Sequence, residues 1–227
     1  IETLMDLTSG DNNVAVGSWG LYNATEGSSN VALGNSTLYN LTTGDGNVAI
    51  GGEALNDLTT PDFNIAIGSS ALAKLVDANG VSEAGDCNIA IGRLALGDAF
   101  VSGSENVAIG KYAGYEMPSG SYNIMLGYQA MRSGSGDYNI AMGRNAQLYP
   151  TGSHNIFIGS GSGYGNATTR TAYSNIGIGQ ETLNDVSSGY QNIAIGKWAG
   201  TSLTTPRDNV LIGYSAGKDL TTGGQNI

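Results

Sequence analysis

The sequence predicts an all-β fold, a parallel β-solenoid (a β-roll or β-helix) of coils about 17 residues long, and two observations carry that prediction. The first is a repeat. A five-residue unit, Asn followed by Val or Ile, usually Ala, an aliphatic residue and Gly, opens at Asn13, Asn30, Asn47, Asn64, Asn88, Asn106, Asn123, Asn139, Asn155, Asn175, Asn192 and Asn209, and another begins at Asn226. Successive asparagines lie 17, 17, 17, 24, 18, 17, 16, 16, 20, 17, 17 and 17 residues apart, so most departures are insertions. The second is the lack of a helical pattern. Such a unit is too short for a β-α repeat, and Gly, Thr-Thr and Ser-Gly break the intervening segments every few residues, with no i, i+3, i+4 apolar rhythm.

Each part of the unit has a structural meaning. Asn64-Ile65-Ala66-Ile67-Gly68 alternates with period two, placing Ile65 and Ile67 on one face and Ala66 on the other. Both faces are apolar, which places the strand between the coil interior and a close second surface such as a neighbouring chain. On this reading Ile65/Ile67, Ile89/Ile91 and Val107/Ile109 build the core, while Ala66, Ala90 and Ala108 permit the close approach. The asparagines form a column along the rod, either as an amide ladder or because Asn tolerates turn dihedrals. Gly17, Gly34, Gly51, Gly68, Gly92 and Gly110 read as corners with positive φ or close backbone contact. Two variable residues, a small residue and often Leu, Met or Gly follow, and a polar turn returns to the next Asn. The coil is therefore expected to hold two short strands and two turns. Insertions near residues 75–85 and 163–171 fall on one edge, where a loop can bulge into solvent.

Residues 3–10 match 37–44 in pattern, and the chain stops within a unit at Gln225-Asn226-Ile227. Residues 1–227 thus read as one continuous array of about 12 repeats, a fragment of a longer fibre. Twelve intervals at about 4.8 Å give a rod of roughly 58 Å. Burying two Ile/Val side chains per coil contributes roughly 3–6 kcal/mol, too little to order some seventeen residues alone. Stability must be shared between coils and between chains.

Composition narrows the function. Gly accounts for 36 of 227 residues without a Gly-every-third period, which excludes collagen, and no apolar run is long enough for a membrane helix. Nine Lys+Arg against nineteen Asp+Glu give a net charge of −10, so neither nucleic acid nor membrane insertion in this segment is expected. The single cysteine, Cys87, forms no internal disulfide, and the first residues show no signal peptide.

The Asn-x-Ala-Ile-Gly-x-x-Ala pattern resembles the head repeats of trimeric autotransporter adhesins and the similar repeats of bacteriophage tail fibres. The resemblance covers almost the whole chain. It implies a left-handed β-roll, three chains side by side, and an adhesive role on a cell or virion surface. The period departs from it: the adhesin heads resemble a repeat of about fourteen residues, and the longer Thr/Gly turns here look more phage-like.

Catalytic chemistry is sparse. His154 and Cys87 occupy equivalent positions just before a repeat Asn, where other units carry many residue types, and no second His completes a dyad or metal cluster. Asp57 with Asp62, Glu83 with Asp86, and Glu181 with Asp185 are candidate carboxylate pairs for glycoside cleavage, but all lie in polar turns and read first as solubilising charge. Asp11-Asn12-Asn13 and Asp45-Gly46-Asn47 resemble oxygen-ligand turns without the calcium-roll motif, so no metal, cofactor or enzyme activity is expected. Sequons at Asn23, Asn35, Asn40 and Asn166 are about as many as chance gives in so Asn- and Ser/Thr-rich a chain. The Thr-Thr pairs recur too irregularly for a flat ice-binding array.

Aromatic residues are the better lead. Trp19, Tyr112 and Trp198 lie two residues after the repeat Gly, and Tyr128 and Tyr214 one residue after it, at positions otherwise filled by polar residues. Such rings can stack on sugars; their default role is to pack on each other or on neighbouring chains. Tyr122, Tyr138 and His154 should form a second column. The expectation for function is a structural and adhesive homotrimeric fibre, extracellular or on a virion, a phage tail-fibre shaft or head presenting a site for a host cell-surface receptor or glycan. A bacterial surface adhesin or extracellular filament is the alternative, and a polysaccharide-degrading tailspike ranks behind both.

Overall fold

A computed structural model describes residues 2–57, 59–60, 62–73, 85–98, 103–149, 152–165 and 171–227. Each unit contributes one strand: β1 (Val14–Val16), β2 (Val31–Leu33), β3 (Val48–Ile50), β4 (Ile65–Ile67), β5 (Ile89–Ile91), β6 (Val107–Ile109), β7 (Ile124–Leu126), β8 (Ile140–Met142), β9 (Ile156–Ile158), β10 (Ile176–Ile178), β11 (Ile193–Ile195) and β12 (Val210–Ile212). The twelve strands form one parallel sheet in chain order. Register is kept position for position, as in Val14↔Val31 and Ala15↔Ala32, and the longest interval still sets Ile65 opposite Ile89. No helix occurs among the described residues. The chain is an all-β parallel β-solenoid with a spacing of about 17 residues. The predicted insertions lie largely at 74–84 and 166–170, outside the described residues.

Among the described residues each coil has one strand, where the sequence predicted two. The return path is too bent to be extended: alternate residues such as Trp19 (φ 59°) and Leu21 (φ 50°) take left-handed corners. Single backbone bonds from coil to coil hold these corners, for example Leu21 N–H to Thr37 O at 3.1 Å and Asn23 N–H to Tyr39 O at 3.1 Å. Such bonds satisfy these return-path groups without a second strand, and a further line of single parallel bridges joins Tyr173, Tyr190, Arg207 and Gly224 in the last coils.

The core also lies on the face opposite to the one predicted. Ala32, Ala49, Ala66, Ala90 and Ala108 are fully buried inside the coil, whereas Val16 is 61% exposed, Ile109 40% and Ile212 67%. The cause is width. On the return path of the first five coils a buried Leu (Leu21, Leu38, Leu55, Leu72, Leu96) sits at a constant position and fills the narrow interior, leaving room for only a small strand residue. Val and Ile therefore point outward. The alternation was legible; which face was inside was not.

Exceptions to the Ala column show the same volume rule. Met125, Phe157 and Leu211 are large strand-centre residues, and glycines stand where they press. A Cβ at Gly163 would lie 2.8 Å from Phe157 Cδ1, and one at Gly177 2.7 Å from it. Gly114 likewise makes room for Met125, and Gly200 and Gly217 for Leu211. Gln147, Ser162 and Thr182 are buried polar residues, and the apolar interior divides in this region into one group ending at Ala146 and another beginning at Phe157. Gln147 Nε2 donates to Asn139 Oδ1 at 3.1 Å, while its Oε1 has no partner.

The repeat asparagines stack as an amide ladder. From Asn30 to Asn209 each is at most 1% exposed. Asn106 Oδ1 accepts from the Asn123 backbone N–H (3.0 Å) and Nδ2 (3.1 Å), and Asn106 Nδ2 donates to Gly120 O at 2.9 Å. The left-handed corner falls on the residue before, as at Ser29, Phe63 and Tyr122, so turn tolerance is not what the repeat Asn supplies. At the other end of the strand Gly68 combines both roles expected of it: φ is 131°, and a Cβ would come within 2.8 Å of the Gly92 carbonyl carbon.

Candidate functional site

Two edges flank the outward sheet. Beyond the corner glycine, Trp19, Ser36, Glu53, Ser70, Tyr112 and Trp198 occupy one left-handed position, with φ between 53° and 63°. The predicted aromatics lie along this edge in three groups rather than one row. Tyr112 meets Tyr128 edge-on at 6.3 Å and Tyr115 at 5.0 Å. Trp198 meets Tyr214 at 5.4 Å. Trp19 borders a separate hollow of about 320 Å³ with Ser36, Tyr39, Asn40 and Asn56.

Sequence reasoning missed the cations beside them. Lys111 Nζ lies 5.0 Å from the Tyr112 ring centre, and Arg93 Nη1 donates to Tyr112 Oη at 3.4 Å. Arg132 approaches the Tyr115 ring at 5.7 Å and pairs with Glu116 at 2.8 Å. Lys197 and Lys218 approach Trp198 at 4.1 and 5.6 Å, while the indole N–H donates to Glu181 Oε2 at 2.8 Å. Cation–π contacts of this kind stabilise exposed rings by about 0.5–1 kcal/mol. Tyr115 is placed by Asp98: its hydroxyl donates to that carboxylate, which, with some burial, holds the phenol above its ordinary range. The missed signal was a Lys or Arg recurring one residue after the corner glycine.

On the other edge Tyr122, Tyr138 and His154 stack face to face, with centres 4.8 and 5.1 Å apart and planes within 1° and 20°. Their spacing is that of the rungs. These rings cover one another's faces, as do Tyr22 with Tyr39 and Tyr173 with Tyr190. Next to this stack is an open hollow of about 720 Å³ lined by Thr43, Thr60, Asp62, Asp86, Cys87, Ser104, Glu105 and Tyr122. Cys87 is exposed, yet local desolvation of its sulfur and then the carboxylates of Asp86, Glu105 and Asp62 push its thiol above the ordinary value. It is therefore a poor nucleophile at neutral pH.

Four of the six candidate carboxylates, Asp57, Asp62, Asp86 and Glu181, are engaged by hydrogen bonds. Asp62 Oδ1 accepts from Asp45 N–H at 2.7 Å, and Asp86 Oδ1 from Asp62 N–H at 2.8 Å. Asp57 accepts from Asn40 Nδ2 at 3.3 Å, and Glu83 lies outside the described residues. Among the described residues no three His, Cys, Asp or Glu side chains are placed to hold a metal. The hydroxyls of Thr42 and Thr204, the first residues of two Thr-Thr pairs, donate to carbonyls of the next coil, as does that of Thr25.

Charge is divided along the axis. Residues 1–92 carry eleven Asp+Glu and one Lys, a net −10, whereas residues 93–227 carry eight acidic and eight basic residues, a net of zero. The cations thus gather where the aromatic groups at Tyr112 and Trp198 stand. No family model matches the chain, and no curated protein or solved structure matches it.

Proposed function

We propose that this chain is a rod segment of an extracellular adhesive fibre, formed by three copies side by side. The observation that carries the reading is the outward sheet face. Two residues per strand over twelve strands give 24 outward positions, and every one is Val, Ile, Leu or Met. A solvated sheet face alternates to polar residues; this one never does. So long an apolar stripe marks an interface. A partner that covers it must present aliphatic rungs at the same pitch, and a second copy of the chain has that pitch. Closing the stripe among three copies, with left-handed coils, follows the resemblance to adhesin heads and tail fibres. The Ala face has no part in assembly, because the coil interior already occupies it.

The fibre extends a receptor-binding element from a virion or a bacterial surface, and the aromatic edge is where this segment contacts host glycan. Both origins use the same rod; an anchor barrel or a chaperone domain elsewhere in the full protein separates them. Light scattering should return three times the mass of one chain. Ile109→Glu with Ile195→Glu should yield monomers that keep their β-sheet circular dichroism. A wild-type monomer in solution overturns the assembly reading, and shortened chains after incubation with host capsule would replace the non-enzymatic reading with a tailspike.

A further inference from the structure

We infer that Arg93, Lys111, Tyr128 and Arg144 form a track for an anionic polysaccharide lying along the rod, which deepens the receptor-presenting reading and rests on it. The four residues occupy the same position, one after the corner glycine, in four successive coils, and all are exposed. Rungs about 4.8 Å apart make them one straight column. In the four preceding coils the position holds Ser18, Asn35, Gly52 and Ser69, so the frame does not require charge there.

The column is unneutralised. Arg93, Lys111 and Arg144 have no carboxylate partner among the described residues; the ion pair on this edge belongs to Arg132 and Glu116. Like charges on adjacent rungs repel, at a cost in stability. An anion spanning them removes that cost. Three aligned cations fit a linear polymer with spaced charges better than a compact ion.

Tyr128 selects sugar. It stands between Lys111 and Arg144 with 41% of its surface exposed, and its edge-on contact with Tyr112 fixes the ring. A ring held in that way offers a face to the C–H side of a pyranose while the flanking cations take carboxylate or sulfate groups.

The test uses the whole chain and four probes: polygalacturonate, dextran sulfate, neutral dextran and oligo-dT, each measured by affinity electrophoresis at two salt concentrations. Polygalacturonate, dextran sulfate or both should bind at least tenfold more tightly than dextran or oligo-dT, more weakly at high salt, and which of the two binds distinguishes carboxylate from sulfate. Arg93→Ser/Lys111→Ser/Arg144→Ser should lose at least tenfold, and Tyr128→Ser should weaken binding to the favoured polysaccharide while leaving its salt dependence intact. The control Arg207→Ser, an exposed cation on the opposite edge beside Tyr190, should bind as wild type. Equal binding of dextran, tightest binding of oligo-dT, or an unaffected triple variant overturns the track. Mass is measured on the same samples: a trimer that ignores both polyanions sinks the track alone, and a monomer that binds through the column sinks the assembly alone.

Discussion

The coils of residues 2–92 and those of 93–227 share one frame and carry different edges. Strand register is identical, and the amide ladder runs through both without a break. What changes is the turn just before the Asn. In the first region Asp45, Asp62 and Asp86 each accept a backbone N–H from the preceding coil, so the carboxylates stitch coils together as well as supplying charge. Ser28 makes the same bond in the first region and Asp137 in the second, where Ser104, Ser121 and Ser153 otherwise take it, and from Tyr173 onward backbone bridges Tyr173↔Tyr190↔Arg207↔Gly224 link the coils at this position. The comparison teaches that the frame belongs to the five-residue unit, while the turn residues are free to set surface chemistry. The acidic and neutral halves are two surfaces on one scaffold.

The largest test of that claim cuts the ladder once in each half. Asn106→Ala removes the acceptor of the Asn123 N–H and the donor to Gly120 O, two buried groups at about 1–3 kcal/mol each. Asn47→Ala strands the Asn64 N–H in the same way. Both variants should lose about 2–6 kcal/mol by urea denaturation, with similar losses. A loss confined to one half would mean that the halves do not share their frame.

The interiors differ more subtly than the edges, and that difference can be exchanged. Phe157→Ala opens a cavity in a core otherwise filled by a large strand-centre residue, at about 3–5 kcal/mol. Gly163 occupies the place where Leu21, Leu38, Leu55 and Leu72 stand in earlier coils, at the same kind of left-handed corner. Adding Gly163→Leu to Phe157→Ala therefore rebuilds the Leu-over-Ala pattern and should recover about half of the loss. Gly163→Leu alone should destabilise, because its side chain meets the Phe157 ring. A double variant no better than Phe157→Ala would show that the coils do not interchange interior volume.

How much of this was legible follows from what periodicity encodes. Spacing of Asn and Gly specifies a rung and its corners, so the solenoid and the ladder column could be read directly. Alternation of Ile65, Ala66 and Ile67 gives two faces without saying which is inside, since both are apolar. The deciding signal was the Leu recurring eight residues after each Asn in the early coils, as Leu38 follows Asn30, together with the Gly substitutions that accompany Met125, Phe157 and Leu211. For the site, the aromatic positions were visible, but their grouping depends on side chains from different coils. Arg132 reaches Tyr115 from the next coil, 17 residues on, and Trp198 is held by Glu181 from the coil before.

The smallest expected effect concerns the neutral half, where an aromatic is tied to a carboxylate instead of a cation alone. The Tyr115 hydroxyl donates to Asp98, and that bond, with partial desolvation and the negative charges of Asp98 and Glu116, raises its pKa above the ordinary value near 10. The sign follows from linkage. A folded-state value above the unfolded one means that the native chain holds its proton longer, so the contribution is fully present below about pH 10 and is lost as pH rises through the folded value. Absorbance of tyrosinate should show Tyr115 titrating late, and Asp98→Asn should bring it back towards the ordinary value while stability at pH 7 changes little, because the group is near the surface. If Asp98→Asn leaves the late titration in place, the cation-aromatic edge is not organised by that carboxylate, and the contrast between the two halves rests on Arg and Lys alone.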